Sequence, residues 1–242
     1  MASIRAMPPD WGKAAWDALL PPRAAYPKLV DAQRVDYLVI GAGFAGLSAA
    51  RRLQQLQPNA RIVVLEGRKL AQGPAGRNSG FMIDLPHELT SEDYAGESAD
   101  NDRRQTSLHR AAIRFAQEAA REYQMPAETL VLSGKTNAAA TSKGMQHNAH
   151  YARHLDSLGE TYCLLNADEM QALTGTRYYQ GGLWTPGTAM LQPALYIRSL
   201  AQGLQQQGLA IFEQSPVIAL NRAAGGWLAT TPKGSVQAHK VI

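Results

Sequence analysis

Three glycines and one carboxylate are the residues whose spacing points most directly to chemistry. Gly41, Gly43 and Gly46 stand in G-x-G-x-x-G spacing within YLVIGAGFAGLSAARRL (37–53), and Glu66 follows twenty residues after the last of them. In that spacing the first glycine allows a tight turn. The second lets the backbone approach a pyrophosphate that a β-carbon would strike, and the third lets helix and strand pack closely. The helix that follows aims unpaired N–H groups and a partial positive charge at the phosphates. A carboxylate at position 66 accepts hydrogen bonds from adenosine ribose hydroxyls and repels a 2′-phosphate, which disfavours NADP. NAD and FAD share the ADP half, so the glycines leave that choice open.

For these groups to converge, the chain between them must run strand, turn, helix, strand. The pattern supplies that order over 35–66: VDYLVI, GAGFAG, LSAARRLQQL, RIVVLE. GRKLAQGPAGRNSGF (67–81) reads as a glycine-rich loop, either a surface loop of turn residues or one that offers backbone N–H groups and the polar ends of Arg77, Asn78 and Ser79 to a long cofactor. Beyond it, 103–123 reads as a charged helix, 129–141 as one or two strands, and 142–159 as a helix ended by Gly159. TYCLLN reads as a short strand, NADEMQALTG as an acidic helix start, and GGLWTPGTAMLQP as a loop. Residues 194–208 form an amphipathic helix closed by Gly208, and the remainder alternates as strands about a turn at Gly225-Gly226. Residues 1–34 carry a short helical pattern around Gly12–Leu20, broken at Pro21-Pro22. They are expected to pack on a domain without being one.

Two separated blocks carry a resemblance. DYLVIGAGFAGLSAARRL…RIVVLEGRKLAQGPAGRNSGF resembles the N-terminal FAD-binding segment of the D-amino-acid-oxidase-like flavoproteins, which include glycine oxidase, sarcosine oxidase and the γ-glutamylputrescine oxidases. GGLWTPGTAMLQPALYIRSLAQGLQQQGLAIFEQSPVIAL (181–220) resembles a second block of that family, in which the backbone at the position of Val217 meets the adenine. The resemblance implies an α/β fold: a glutathione-reductase-type Rossmann FAD-binding domain (35–100 and 190–242, incomplete) after the extension 1–34. An inserted antiparallel β-sheet substrate domain, with its helical segment, would occupy 101–189.

It also implies oxidation of an amine or amino acid by hydride transfer from the α-carbon to flavin N5. Oxygen or a carrier would accept the electrons. FAD contacts are expected at Gly41, Ala42, Gly43, Phe44, Gly46, Glu66, Gly67, Arg68, Gly76, Arg77, Asn78, Ser79, Gly80, Phe81 and Val217. Pro74-Ala75 replaces the family's usual Ala-Ser, and Arg77 stands where some relatives attach flavin through a histidine. Cys163 lies outside any attachment motif, so non-covalent FAD is expected. Relatives continue beyond the point where this chain ends at HKVI, so it reads as a chain truncated at the C-terminus. A missing C-terminal half or a further chain would complete it. No catalytic residue is assigned. An NAD-dependent dehydrogenase and a catalytically silent cofactor-binding or interaction subunit are the alternatives.

The bulk numbers fit this reading. The net charge of +4 comes from scattered basic residues, with no stripe interleaved with aromatics, which argues against nucleic acid. The single cysteine points to a reducing, cytoplasmic compartment, and no window suits a membrane span. His147, His150 and His154 share a helix face that reads as solvated, and no metal site is expected. Trp184, Tyr178 and Tyr179 read as core or rim. Lys135 reads as a strand lysine pointing outward or toward a substrate carboxylate. His87 is a candidate base, and Ser79 and Ser133 lack nucleophile partners.

Overall fold

Along the chain, the computed structural model places β1 (Ala2–Ser3), α1 (Ala15–Ala18), β2 (Ala32–Ile40), α2 (Phe44–Leu56), β3 (Ile62–Leu65), β4 (Phe81–Met82), α3 (Ala99–Glu122), β5 (Leu130–Leu132) and β6 (Lys135–Ala139). There follow α4 (Ser142–Leu158), β7 (Cys163–Leu165), α5 (Ala167–Thr174), β8 (Gly181–Thr185), β9 (Ala189–Leu191), α6 (Pro193–Gln206), β10 (Ala210–Phe212), β11 (Ala219–Ala223), β12 (Gly226–Thr230) and β13 (Ser235–Val241). The structure describes residues 2–3, 12–85 and 99–242. They divide into a first unit (Met1–Ser79, Ala120–Thr129, Gln192–Ile242) and a second (Gly80–Ala119, Leu130–Leu191).

The first unit is built on a seven-stranded sheet of order β1-β11-β12-β13-β2-β3-β10. Its β13-β2-β3-β10 part is parallel, and β11-β12-β13 is an antiparallel meander. The run Ile62–Leu65 is buried at every position, as a central parallel strand requires. Leu38, Val63, Leu65, Val217, Ala229, Val236 and Leu29 form one core, so the N-terminal segment contributes a side chain to it. Helix α6 buries Ile197, Leu200 and Leu204 on one face; each such side chain contributes about 1.5–3 kcal/mol. α6 is tied to the N-terminal segment by an ion pair from Arg198 to Asp17.

The second unit holds two three-stranded antiparallel sheets, β4-β9-β5 and β6-β8-β7. The expected loop GGLWTPGTAMLQP is corrected here: most of it is β8 and β9. Its glycines serve close packing and not turning. A β-carbon on Gly181 would lie 2.9 Å from Met145 Sδ, and one on Gly182 would lie 2.6 Å from Met170 Sδ. α4 caps with Thr141 and ends on Gly159. α5 carries a complete capping box from Asn166 and Glu169. Tyr151, Leu155, Leu183 and Leu85 make this unit's core.

Candidate functional site

β2 and β3 are parallel neighbours with Ile40 paired to Leu65, so Gly41 and Glu66 emerge side by side at their carboxyl ends. Gly41 N donates to Leu65 O at 2.8 Å and adopts φ +103°, a conformation that favours glycine. The other two glycines differ in what surrounds them. A β-carbon on Gly46 would collide with the carbonyl of Gly41 and lie 3.3 Å from Val39 Cγ1. Among the described residues a β-carbon on Gly43 would meet only Ala75 Cβ, at 3.6 Å. Gly43 caps α2 without a side-chain hydrogen bond, and the first turn carries no acidic residue. The N-terminus of α2 at Gly43 thus meets, among the described residues, no side chain closer than Ala75. That arrangement suits an anion.

Glu66 turns its carboxylate back onto the glycine turn. Oε2 accepts from Ala42 N at 2.9 Å and Oε1 from Arg68 N at 2.8 Å. The loop that carries it is zipped to Phe212–Ser215. Glu66 N donates to Phe212 O (2.8 Å), Gln214 N to Arg68 O (3.0 Å) and Ser215 N to Glu66 O (2.9 Å). Val217, two residues on, buries its side chain in the core. Among the described residues its backbone N–H and C=O make no backbone hydrogen bond. Gly67 and Arg68 border an open cavity of about 580 Å³ that Lys13, Lys69, Arg198 and Gln214 also line. Phe44 packs its ring 6.0 Å from that of Tyr196, whose hydroxyl pKa is pushed up to about 12 by burial.

The loop after Gly73 folds as a single 3-10 turn over Pro74–Gly76. A β-carbon on Gly76 would strike the carbonyl of Ala71. Arg77 spends its guanidinium on Gln72 O at 2.9 Å and on Gly12 O. Asn78 donates from Nδ2 to Ala75 O at 2.9 Å, while its carbonyl accepts from Trp16 Nε1 at 2.8 Å. The Arg77 side chain therefore ties the loop to the N-terminal segment, while the Asn78 side chain braces the loop and its backbone carbonyl holds Trp16. Ser79 ends the first unit; Gly80 and the exposed Phe81 belong to the second, where Phe81 pairs with Met190. His87 lies outside the described residues.

The sequence reading passed over a buried carboxylate in each unit. In the first, Glu213 is fully buried and accepts from Tyr26 N (2.8 Å), Arg23 Nη1 (3.2 Å), Arg23 Nη2 and Leu70 N. In the second, Asp84 is fully buried and accepts from Arg110 Nε (3.1 Å) and Nη2 (3.0 Å), with the Thr188 hydroxyl at 3.4 Å. Arg110 also binds Glu160, at 2.6 Å, and that bond leads the causes that raise its pKa. Glu213 falls inside the 181–220 block that carries the resemblance, where no role is read for it, and Asp84 is marked only as a charged residue inside an apolar run.

Two expectations in the second unit are corrected. The His147/His150/His154 face is not simply solvated, because His154 Nε2 lies 3.1 Å from the buried Asp102 carboxylate. A histidine two turns down the helix has swung onto an acid of α3. Lys135 does not point outward. Its Nζ is buried with no hydrogen-bond acceptor among the described residues, 5.9 Å from the centre of the Tyr151 ring. Burial lowers its pKa, partly offset by Asp84. Trp184 is half-buried on β8 opposite Thr136 and Cys163. Tyr178 and Tyr179 meet edge to face at 5.2 Å, with Tyr178 exposed. Ser133 donates to Gly134 O at 3.1 Å. Among the described residues no three His, Cys, Asp or Glu side chains converge as metal ligands, and no helix is long and apolar enough to cross a membrane.

A parallel sheet whose glycine turn and acidic strand end meet at the carboxyl edge defines a dinucleotide-binding α/β protein. Comparison with known proteins agrees with the geometry and narrows it. The chain belongs to the FAD dependent oxidoreductase family, which it matches over residues 36–242. It is 27% identical over 219 residues to "Probable oxidoreductase OrdL" of Haemophilus influenzae, covering 90% of this chain and 50% of that protein. Among solved structures, glycine oxidase from Geobacillus kaustophilus superposes with a TM-score of 0.69 at 18% identity, over 86% of this chain and 54% of that one. L-Amino acid deaminase from Proteus myxofaciens gives 0.68 at 17%, over 92% and 47%. These likenesses show a shared fold. The chain spans about half the length of the curated relatives it matches.

Proposed function

We propose that the first unit holds the ADP half of FAD non-covalently, and that the protein containing this chain oxidises an amine or amino acid. The observation that carries the cofactor reading is the pairing of Gly41 and Glu66 on adjacent parallel strand ends. Three further features fit FAD. The α2 N-terminus lacks a side-chain cap, room remains at Gly43, and the backbone of Val217 has hydrogen-bonding capacity left for an adenine edge. Glu66 orients the ribose, Gly41–Gly46 admit the pyrophosphate, and Gly67 and Arg68 lie beside that ribose position. The loop Gly76–Ser79 continues the path by its backbone, since Arg77 and Asn78 spend their side chains on the loop itself.

When bound, the flavin supplies the acceptor for a hydride from the substrate's α-carbon, with oxygen or a carrier taking the electrons afterwards. Structural neighbours named glycine oxidase and L-amino acid deaminase support an amino-acid substrate, and the amine alternative comes from the resemblance. The one cysteine, Cys163, is free and exposed, which suits a cytoplasmic protein.

The test is ligand-dependent stability of the purified chain. FAD at a hundredfold excess over its Kd adds about 2.7 kcal/mol to the folded state and raises Tm. NAD at the same concentration leaves Tm in place, and denaturing the loaded protein releases intact flavin. A chain whose Tm answers to NAD and not to FAD, or that never retains flavin, overturns the proposal.

A further inference from the structure

The family match begins at residue 36, yet the segment before it is bonded to the loop that carries Glu66. Glu213 is the junction. Its fully buried carboxylate takes the Arg23 guanidinium and Tyr26 N from the N-terminal segment, and Leu70 N from the far end of the Glu66 loop. Backbone and hydroxyl contacts run in parallel: Glu213 N donates to Pro27 O at 3.1 Å, and Leu29 N to Ser215 Oγ at 2.9 Å. The same 212–215 stretch is zipped to Glu66 and Arg68 by three backbone hydrogen bonds. Arg68 N in turn holds one oxygen of Glu66, while Ala42 N in the glycine turn holds the other.

We infer that Arg23 and Glu213 are positioning residues for the Glu66 carboxylate, so that the N-terminal segment outside the family match sets the affinity for the cofactor's ribose. The inference rests on the FAD reading given above. Neither residue needs to touch the ligand. Arg23 neutralises a carboxylate that would otherwise be buried alone, and Glu213 fixes where the 66–70 loop lies. An exposed surface pair would not carry this argument, because its geometry is loose and screened. This pair has one member with no exposure at all, and every one of its donors lies in the N-terminal segment or on the Glu66 loop.

The experiment is a double-mutant cycle on the full 242-residue chain, read as Kd for FAD and for ADP by fluorescence and calorimetry. R23K keeps the charge and protects folding but loses the two-pronged grip; R23M/E213L replaces the pair by apolar side chains. Each is first checked by its melting curve without ligand. Outer partners that orient a binding group are worth roughly tenfold to a hundredfold in affinity at metal sites, and a loss of about tenfold is expected here. Two readouts separate positioning from mere stability. The loss seen in R23K should largely vanish when Glu66 is already alanine, and R23K should discriminate less than wild type between ADP and its 2′,3′-dideoxy analogue. Additive losses in the cycle, or unchanged discrimination in folded R23K and R23M/E213L, overturn the inference. A wild-type chain that binds neither FAD nor ADP instead removes the cofactor reading itself, and this inference with it.

Discussion

Gly43 and Gly46 belong to one motif, but the structure assigns them separable roles, and two substitutions test the separation. In Gly46→Ala the new methyl group meets the carbonyl of Gly41 and lies 3.3 Å from Val39 Cγ1. The obstacle is backbone of the turn, which no rotamer change relieves. Overpacking of this kind costs about 1–3 kcal/mol, against a helix-propensity gain of up to about 1 kcal/mol for alanine over glycine. The net is a loss of about 1–2 kcal/mol, and for a chain of this size that lowers Tm by about 2–8 °C without any ligand. In Gly43→Ala the methyl group sits 3.6 Å from Ala75 Cβ and touches nothing else among the described residues. The backbone there has φ −84° and ψ −170°, which alanine adopts freely. Alanine gains about 0.4–1 kcal/mol by stiffening the unfolded chain and gives up some tenths to about 1 as a poorer N-cap, so the unliganded Tm stays within a degree or two.

Binding reverses the order of harm. If the pyrophosphate passes over Gly43, that methyl group occupies its path, and FAD affinity falls at least about tenfold, or 1.4 kcal/mol. Melting curves without ligand and FAD titrations of both variants decide the matter. A Gly43→Ala protein that binds FAD as wild type does would refute the ligand role. A Gly46→Ala protein with an unshifted unliganded Tm would refute the packing role.

Lys135→Met should stabilise the second unit at neutral pH. A buried ammonium with no acceptor costs about 1–3 kcal/mol, partly offset by about 0.5–2 kcal/mol from the Tyr151 ring, so a net gain near 1 kcal/mol is expected. Because burial lowers the folded pKa below that of the unfolded chain, wild-type stability rises with pH through the interval between the two values. The advantage of Lys135→Met should therefore shrink as melting curves are taken toward and above pH 10.5. Arg110→Met removes the main partner of a fully buried Asp84 and should cost about 3–5 kcal/mol by chemical denaturation; a loss under 1 kcal/mol would mean that Thr188 and solvent satisfy Asp84. Asn166→Ala breaks the α5 capping box at an exposed helix end and should cost about 1 kcal/mol by the same measurement, with FAD affinity unchanged.

What the sequence made legible was local. The βαβ segment 35–66 declares itself because alternation, glycine spacing and the acidic strand end all fall within one short window. Strands β8 and β9 are hidden in the sequence because Gly181, Gly182 and Gly187 resemble turn residues, whereas Gly181 and Gly182 lie in β8 packed against Met145 and Met170. The Asp102–His154 contact spans 52 residues, and the Leu70–Glu213 bond spans 143. No periodicity encodes a partner that far along the chain.

Glu66 and Glu213 show why residue type could not separate a binding group from a structural one. A carboxylate offers about four acceptor positions. Glu213 fills its positions with four protein donors and is fully buried, so nothing is left for a ligand. Among the described residues Glu66 takes two backbone donors, and it is only partly buried, so each oxygen keeps a position open. A ribose presents two hydroxyls, and the remaining capacity matches them. Hydrogen-bond saturation divides the two glutamates: the one that cannot bind a ligand fixes the loop, and the one left half-satisfied by that loop faces the site.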